Sequence, residues 1–335
     1  MMNFYKIMFL MCTILGTLIT ISSYSWLSIW IGLEINLLSI IPLFKSKENI
    51  YPTESALKYF LTQALASSIL LLAIILIKNF NNILNIPPSM FTLLISTALA
   101  TKMGAAPFHF WFPEVVEGLN WMNNFIMLTW QKIAPFIIFS QISKEPIFYL
   151  LVIMSSLIIG GMQGLNQMSL RKILAYSSIN HISWMLSSLL YSQSIWTLYF
   201  MVYSIISLNI IILLHTFNIF YISQFNIFLS NKMIKILFMM NLMSLGGLPP
   251  FLGFLPKWLV INGLVMNGFF YLSVVLIIFT LITLYFYLRL MFSTLMLGVM
   301  ETLIPLVTPL NFMIFLFNFI TLSGLLFCTF MFDFL

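Results

Sequence analysis

STALATKMGAAPFHFW, residues 96–111, and SLGGLPPFLGFLPKW, residues 244–258, are the two stretches that decide the fold. In both, an apolar run is interrupted by Gly and Pro close to a lysine. Proline removes a backbone donor and clashes with the preceding helical turn, so carbonyl groups lose their helical partners. In a lipid bilayer such groups must bind protein or trapped water. The two stretches therefore predict broken transmembrane helices with polar centres.

The composition extends this prediction to the whole chain. Of 335 residues, 61% are hydrophobic and 7% are charged, whereas a soluble domain carries roughly a quarter charged residues. Apolar runs long enough to cross the hydrocarbon core follow one another, which predicts an all-α polytopic membrane protein with about eleven transmembrane helices. The predicted spans run from Ile7 to Ile21, Trp26 to Phe44, Ala56 to Ile77, Met90 to Phe112, Trp121 to Gln141, Ile147 to Leu165, Lys172 to Leu190, Ile195 to Phe220, Met233 to Ile261, Phe269 to Met291, and Leu310 to Phe330.

The charged residues indicate membrane topology and exclude other classes of protein. The fourteen Lys and Arg residues give a net charge of +6 but are scattered, so they form no basic stripe for nucleic acid. Cys12 and Cys328 lack metal-ligand spacing. With an odd number of helices, most cations fall in loops on one side. This predicts an amino terminus on the matrix or cytoplasmic side and a carboxyl terminus on the opposite side.

The order of the broken helices predicts an internal repeat. They are the fourth and ninth predicted spans and are therefore oppositely oriented, as in transporters built from inverted repeats. We expect a single membrane domain, with a first five-helix repeat at residues 1–142 and a second at 147–293. An extra carboxyl-terminal helix is expected at 309–331. No long polar stretch leaves room for a soluble catalytic or nucleotide-binding domain.

Four ionisable residues fall inside predicted spans, where a central charge facing lipid costs about 2.5 to 3.5 kcal/mol on insertion scales. They are Glu34, Lys102, Lys132 and Lys257. Such groups normally face the bundle interior, pair, or line a hydrated path, so we predict that they serve proton translocation. Snorkelling to the interface is the alternative, open to long lysines near helix ends but not to a glutamate in mid-span.

Further side chains complete the candidate site. An approaching Glu34 carboxylate would hold the Lys102 proton, and its withdrawal would make that proton easier to release. His109 and His181 are possible proton relays, with hydrogen bonding between helices as the equal alternative. Glu54 and Lys58 have the spacing of a surface ion pair. The residues expected to break the helices are Gly104, Pro107, Gly246, Gly247, Pro249 and Pro250.

Six segments carry a resemblance to a known family. They are WLSIWIGLEINLLSIIPL, ESALKYFLTQALAS, KMGAAPFHFWFPEVVEGL, LTWQKIAPF, GLNQMSLRKILAYSSINHISWML and NLMSLGGLPPFLGFLPKWLV. Together they resemble the subunit 2 family of mitochondrial NADH:ubiquinone oxidoreductase, respiratory complex I, in its shortened animal, insect-like form. The resemblance covers about residues 26–260; outside that stretch only length and hydropathy agree.

The resemblance implies an antiporter-like subunit of the proton-translocating reductase, located in the mitochondrial inner membrane. It implies a hydrophilic axis on which Glu34, Lys102, Lys132 and Lys257 match the family's ionisable positions. Flavin, iron-sulfur clusters and ubiquinone are expected in other subunits, so this chain would bind no cofactor and perform no redox chemistry. Its expected partners are other membrane-arm subunits and membrane lipids. The longer relatives carry three additional amino-terminal helices.

Two alternatives remain open on the sequence alone. A self-contained cation/proton antiporter would use similar broken helices and buried lysines without an electron-transfer partner. A structural spacer would use the buried charges only to hold helices together and would have no proton path of its own.

Overall fold

A computed structural model describes residues 4–45, 50–80, 88–142, 146–225 and 232–296, and five positions between 318 and 324. Apart from one isolated bridge between Ser169 and Tyr221, the regular structure in this part of the chain is helical. The helices are α1 (Phe4–Ser22), α2 (Trp26–Phe44), α3 (Tyr51–Phe80), α4 (Pro88–Met103), α5 (Trp111–Gly118), α6 (Trp121–Leu128), α7 (Trp130–Gln141), α8 (Pro146–Gly164), α9 (Leu170–Leu189), α10 (Gln193–Phe217), α11 (Lys232–Gly246), α12 (Phe254–Met266) and α13 (Phe270–Met296).

The helices follow the predicted apolar spans closely. Within the described residues, six helices are long and apolar enough to cross a membrane, and three shorter apolar helices lie next to the two breaks. The all-helical fold is confirmed. The count of eleven stays a prediction, because the last span, Leu310 to Phe330, lies largely outside the described residues.

One interruption was not predicted. The fifth span is divided into α6 and α7 at Thr129, whose φ of −117° and ψ of −71° are not those of a regular helix. Its hydroxyl donates to the Phe125 carbonyl at 2.7 Å. A threonine hydroxyl that bonds back to the previous turn bends a helix, so this bend needs neither glycine nor proline.

The chain forms two compact units, residues 1–156 and 157–335. The division falls inside α8, and the predicted repeat boundaries at 142 and 147 stay a prediction.

In the first unit, α1 and α2 cross at very short distance. A Cβ added to Gly16 would meet the Asn36 backbone nitrogen at 2.9 Å, and one added to Gly32 would meet the Thr20 methyl at 2.6 Å. Small residues allow such contact between membrane helices.

In the second unit, α9 is the central helix, because nearly all of its residues from Ile173 onward are buried. Gly160 of α8 lies against it, with its absent Cβ only 2.8 Å from the Asn180 backbone nitrogen. Arg289 of α13 donates to the Leu165 carbonyl and, at 2.9 Å, to the Gln167 carbonyl. These bonds satisfy carbonyls just beyond the end of α8, which would otherwise lack helical partners.

The contact at Gly16 yields a stability prediction. Gly16→Ala places a methyl group against backbone atoms of α2 that cannot rotate away. We expect a loss of about 1 to 3 kcal/mol, as for other overpacked sites, measured as a lower thermal unfolding midpoint. Gly161→Ala is the matched control, because the nearest atom to its methyl belongs to the Phe279 ring, at 3.3 Å, and the nearest backbone atom, the Phe279 carbonyl oxygen, is 3.8 Å away. Equal midpoints for the two variants would contradict the close crossing.

Candidate functional site

The first break separates α4 from α5. The helix ends at Met103, and Gly104 has a φ of +72°, in the left-handed region that favours glycine. Pro107 follows within the interruption, and the peptide bond before it is cis. Lys102 is therefore in the last turn of α4, immediately before the backbone changes direction.

Neighbouring side chains take up the carbonyls released at this break. Trp111 Nε1 donates to the Thr101 carbonyl at 3.1 Å, and Gln63 Nε2 donates to the Lys102 carbonyl at 3.4 Å. Ser155 donates to the Ala106 carbonyl at 2.9 Å. These donors allow an irregular backbone to persist in an apolar bundle.

A small polar cavity borders Lys102. Its lining includes Asn36, Tyr59, Gln63 and Gln131 besides the lysine, and its volume is about 10 Å³. That is about the space one water molecule needs in a polar site. Gln131 donates to Asn36 at 3.0 Å, and the Tyr59 hydroxyl donates to Gln131 at 3.3 Å. The side chains thus tie α2, α3 and α7 around the cavity.

Glu34 lies at the edge of this cluster. Its carboxylate interacts electrostatically with Lys102 and with Tyr59. The side chain is partly exposed, but its Oε1 atom is buried and has no hydrogen-bond partner among the described residues. The structure therefore brings Glu34 within electrostatic reach of Lys102, and leaves one carboxylate oxygen ready to accept a bond.

Lys132 is the most deeply buried of the predicted lysines: its side chain is 1% exposed, compared with 7% for Lys102 and 6% for Lys257. It lies in the first turn of α7, with its ammonium 5.1 Å from the centre of the Phe112 ring. An aromatic face attracts a desolvated cation. Phe112 belongs to α5, so the segment after the first break also contacts Lys132.

The second break separates α11 from α12, and its carbonyls are bound by a different kind of donor. The helix ends at Gly246, and Gly247 has a φ of +77°. The Lys257 ammonium reaches back from α12 and donates to the Gly246 carbonyl at 2.7 Å and the Leu245 carbonyl at 3.2 Å. Here the lysine itself is the partner of the released carbonyls. Pro249 and Pro250 lie between the two helices and are exposed.

Both candidate histidines are buried. His109 lies within the first break, with Nδ1 3.3 Å from the Pro107 carbonyl. His181 is in the middle of α9, with Nδ1 2.8 Å from the Tyr199 hydroxyl. It also lines a cavity of about 10 Å³ with Ser244 and Pro256, the residue before Lys257. The structure thus places His181 close to the second break.

Sequence reasoning missed the uncharged members of these clusters. Asn36 and Gln131 had a usable signal, because each is a polar residue in an apolar span within two positions of a predicted charged residue. Tyr59 and Tyr199 had none, since a tyrosine in an apolar span is typical of ordinary packing. Within the described residues, no cluster of three or more His, Cys, Asp or Glu side chains could hold a metal ion.

Broken helices with buried lysines define an antiporter-like multi-pass membrane protein. The model of the family described as NADH:quinone oxidoreductase/Mrp antiporter matches residues 23–283. NADH-ubiquinone oxidoreductase chain 2 of Anopheles gambiae is 50% identical over 95% of each chain. The protein of the same name from Lemur catta is 43% identical over 86% of this chain and 85% of its own.

Solved structures agree on the fold. A chain of respiratory complex I from Thermus thermophilus matches with a TM-score of 0.82 at 23% identity, over 96% of this chain and 79% of that chain. A chain of the Mrp complex from Dietzia matches with a TM-score of 0.74 at 17% identity, over 88% and 60% respectively. The chain belongs to the NADH:quinone oxidoreductase/Mrp antiporter family and, within it, to the family of NADH-ubiquinone oxidoreductase chain 2.

The second break offers a matched pair of substitutions. Gly247→Ala must adopt a left-handed backbone, at a cost of about 1 to 2 kcal/mol, and its methyl would lie 2.7 Å from Lys257 Cδ. Gly246→Ala meets nothing closer than 3.7 Å. We expect only Gly247→Ala to lower the thermal unfolding midpoint and to move the Lys257 ammonium off the two carbonyls in a cryo-EM map. An unmoved ammonium would contradict this geometry.

Proposed function

We propose that the chain takes part in proton translocation as a membrane-arm subunit of respiratory complex I, driven by electron transfer from NADH to ubiquinone elsewhere in the complex. The observation that carries this proposal is the burial of three lysines beside two helix breaks. Keeping a charge in such surroundings costs free energy. The cavity beside Lys102 has space for a water molecule that would accept a transferred proton. The names of the curated relatives support the reductase assignment.

Charge coupling in the first unit provides a mechanism. Moving one charge against 100 mV costs about 2.3 kcal/mol. Two unit charges about 4 Å apart interact by about 4 kcal/mol at an effective dielectric constant near 20, and by half as much at twice that distance. A change in the charge or position of Glu34 is therefore large enough to decide whether Lys102 keeps or releases its proton. The cavity water and Tyr59 would then receive or supply it.

The second unit would work differently. Hydrogen bonds from a charged donor are roughly twice as strong as neutral ones, so the carbonyls of Leu245 and Gly246 favour the ammonium form of Lys257 over the neutral amine. Release of the proton leaves an amine that binds these carbonyls less strongly. Proton transfer at Lys257 is thereby linked to the conformation of the second break.

The cellular setting follows from the same proposal. The chain would lie in the mitochondrial inner membrane, with its amino terminus in the matrix and its carboxyl terminus in the intermembrane space. Its partners would be neighbouring membrane-arm subunits and lipids. Flavin, iron-sulfur clusters and ubiquinone would be bound by other subunits, and the residues of this chain would hold and move protons only.

The proposal predicts that neutral substitutions uncouple pumping from electron transfer. In the assembled complex, reconstituted into vesicles, Glu34→Gln and Lys102→Met should lower the number of protons translocated per NADH oxidised. Lys58→Met is the matched control. Lys58 carries the same charge as Lys102 but is 43% exposed and pairs with Glu54 and Glu114, both at 3.0 Å. It should pump normally.

The double variant tests the link between Glu34 and Lys102. If the two residues act as one switch, Glu34→Gln combined with Lys102→Met should lose little more pumping than either change alone, because interacting residues are not additive. Intact assembly with undiminished pumping in both single variants would favour the structural spacer. Cation exchange by the isolated chain in vesicles would favour the independent antiporter.

A further inference from the structure

The extra carboxyl-terminal helix lies outside the two expected repeats, and the proposed function gives it no role. Its described positions between 318 and 324, the carboxyl-terminal segment, are helical. Asn318 and Thr321 are buried, with 3% and 2% exposure, whereas Phe319 is 66% exposed. The segment therefore turns a polar face towards the second unit and an apolar residue outwards. In a membrane, polar side chains on such a face hold helices together.

A hydrogen-bonded cluster joins this segment to α10 and α11. Asn241 of α11 donates to Asn318 Oδ1, and the Thr321 hydroxyl lies 3.4 Å from Asn241 Oδ1. Asn209 of α10 donates to the Thr321 hydroxyl at 3.4 Å. Asn209 and Asn241 are at most 2% exposed. Leucine would fill such positions without polar groups to satisfy, so the cluster indicates a need for one defined arrangement of these helices.

The same segment contacts the other side of the second break. A Cβ added to Gly324 would collide with Leu252 Cδ1, so the leucine side chain packs directly against this glycine. Leu252 belongs to the connection between α11 and α12 and is 6% exposed. Its carbonyl accepts from the Leu255 amide, at 3.3 Å, in the first turn of α12. The segment thus contacts α11 before the break and the connection to α12 within it.

Short contacts link these two points with the carbonyls that bind Lys257. Gly253, which follows Leu252, lies so close to the Ser244 carbonyl that an added Cβ would overlap its oxygen. The Ser244 hydroxyl donates to the Asn241 carbonyl at 2.6 Å. The two residues after Ser244 supply the carbonyls that accept from Lys257. A displacement at Asn241 or Leu252 would therefore move these acceptors relative to the lysine.

The second break is thus bridged in two ways. Lys257 reaches from α12 to the end of α11 with a group that changes charge when it transfers a proton. The carboxyl-terminal segment reaches from α11 to the connection with uncharged groups. Bonds from a charged donor weaken when the charge is lost, whereas the neutral bonds are the same in both protonation states of the lysine.

We propose that the carboxyl-terminal segment positions the second proton site. Its hydrogen bonds to Asn241 hold the end of α11, and its contact with Leu252 holds the connection, so the Lys257 side chain returns to the same two carbonyls after it releases a proton. The segment is a positioning element and carries no proton itself. This inference deepens the proposed function and rests on it, because its effect on pumping is transmitted through Lys257.

Neutral substitutions of similar size test this role in the assembled complex in vesicles. Lys257→Met first defines the share of proton translocation per NADH that depends on this lysine. Thr321→Val and Asn241→Leu each remove two contacts between helices. One hydrogen bond between membrane helices contributes a factor of about three to an equilibrium on average, so each variant should lower that share about threefold to tenfold. Combining either change with Lys257→Met should lower pumping no further.

Ser323→Ala is the control within the same segment. Its hydroxyl donates to the Phe319 carbonyl at 2.7 Å, a bond within the segment rather than between helices. Thr321 makes the same kind of bond to the Asn318 carbonyl, at 2.9 Å, so the control matches that loss. It should keep full pumping. Native gels show whether each variant assembles.

A size exchange at Gly324 tests the second contact without removing a polar group. Gly324→Ala places a methyl group where Leu252 Cδ1 lies, and should lower the Lys257-dependent share about fivefold or more, as expected for a typical overpacked site. Leu252→Ala makes room for that methyl, so the double variant should recover most of the loss. In cryo-EM maps, the Lys257 ammonium should leave its carbonyls in the single variant Gly324→Ala and return in the double variant.

A segment that only stabilises the fold predicts the opposite result for the double variant. Leu252→Ala removes buried apolar atoms and would then add to the damage. A loss that the double variant fails to recover, or that adds to the loss in Lys257→Met, therefore overturns the positioning role.

The outcomes also separate this inference from the proposal on which it rests. If Lys257→Met loses pumping while the Asn241 and Thr321 variants pump like Ser323→Ala, the positioning role is overturned and the lysine mechanism stands. If Lys257→Met itself pumps normally, the proposed function of the second unit fails. The ammonium positions in the maps then decide by themselves whether the segment positions Lys257.

Discussion

A carbonyl released from a helix inside a bilayer has no surrounding water to bind, and this constraint governs both candidate sites. At the first break, Gln63 and Ser155 donate to the carbonyls of Lys102 and Ala106, and Trp111 donates to that of Thr101, which also accepts from the Gly104 amide. At the second, the Lys257 ammonium donates to the released carbonyls. The carbonyls are therefore bound by neighbouring side chains at one break and by a lysine at the other. This difference determines whether the ammonium of each lysine is available for other interactions.

The arrangement at the first break leaves Lys102 beside a small polar cavity with space for about one water molecule. Because neighbouring side chains satisfy the carbonyls, the ammonium borders the cavity with Asn36, Tyr59 and Gln131. These groups are hydrogen bonded to one another and fix the distances between three helices. Rigid surroundings matter for an electrostatic switch, since the effect of Glu34 on Lys102 falls with every ångström of separation.

The sequence predicted the helices and both interruptions well, because hydropathy and the Gly and Pro positions are properties of local sequence. It predicted the burial of the lysines for the same reason. It did not predict the bend at Thr129, because that bend depends on the Thr129 hydroxyl donating to the Phe125 carbonyl of the previous turn. It also missed Tyr59 and Tyr199. Their roles depend on how each helix is rotated about its axis and on which neighbour it meets, and a single sequence records neither.

If the lysines transfer protons as proposed, the two sites differ in what a departing proton changes. At Lys102 it changes a charge within reach of Glu34, while the break keeps its side-chain donors. At Lys257 it weakens the bonds that hold the last carbonyls of α11 to the first turn of α12. A neutral amine retains two N–H groups but loses the charge that makes those bonds strong. The proton affinity of Lys102 is thus suited to respond to a neighbouring charge, and that of Lys257 to the conformation of the second break. Two broken helices of the same kind are therefore able to supply complementary steps of one transport cycle.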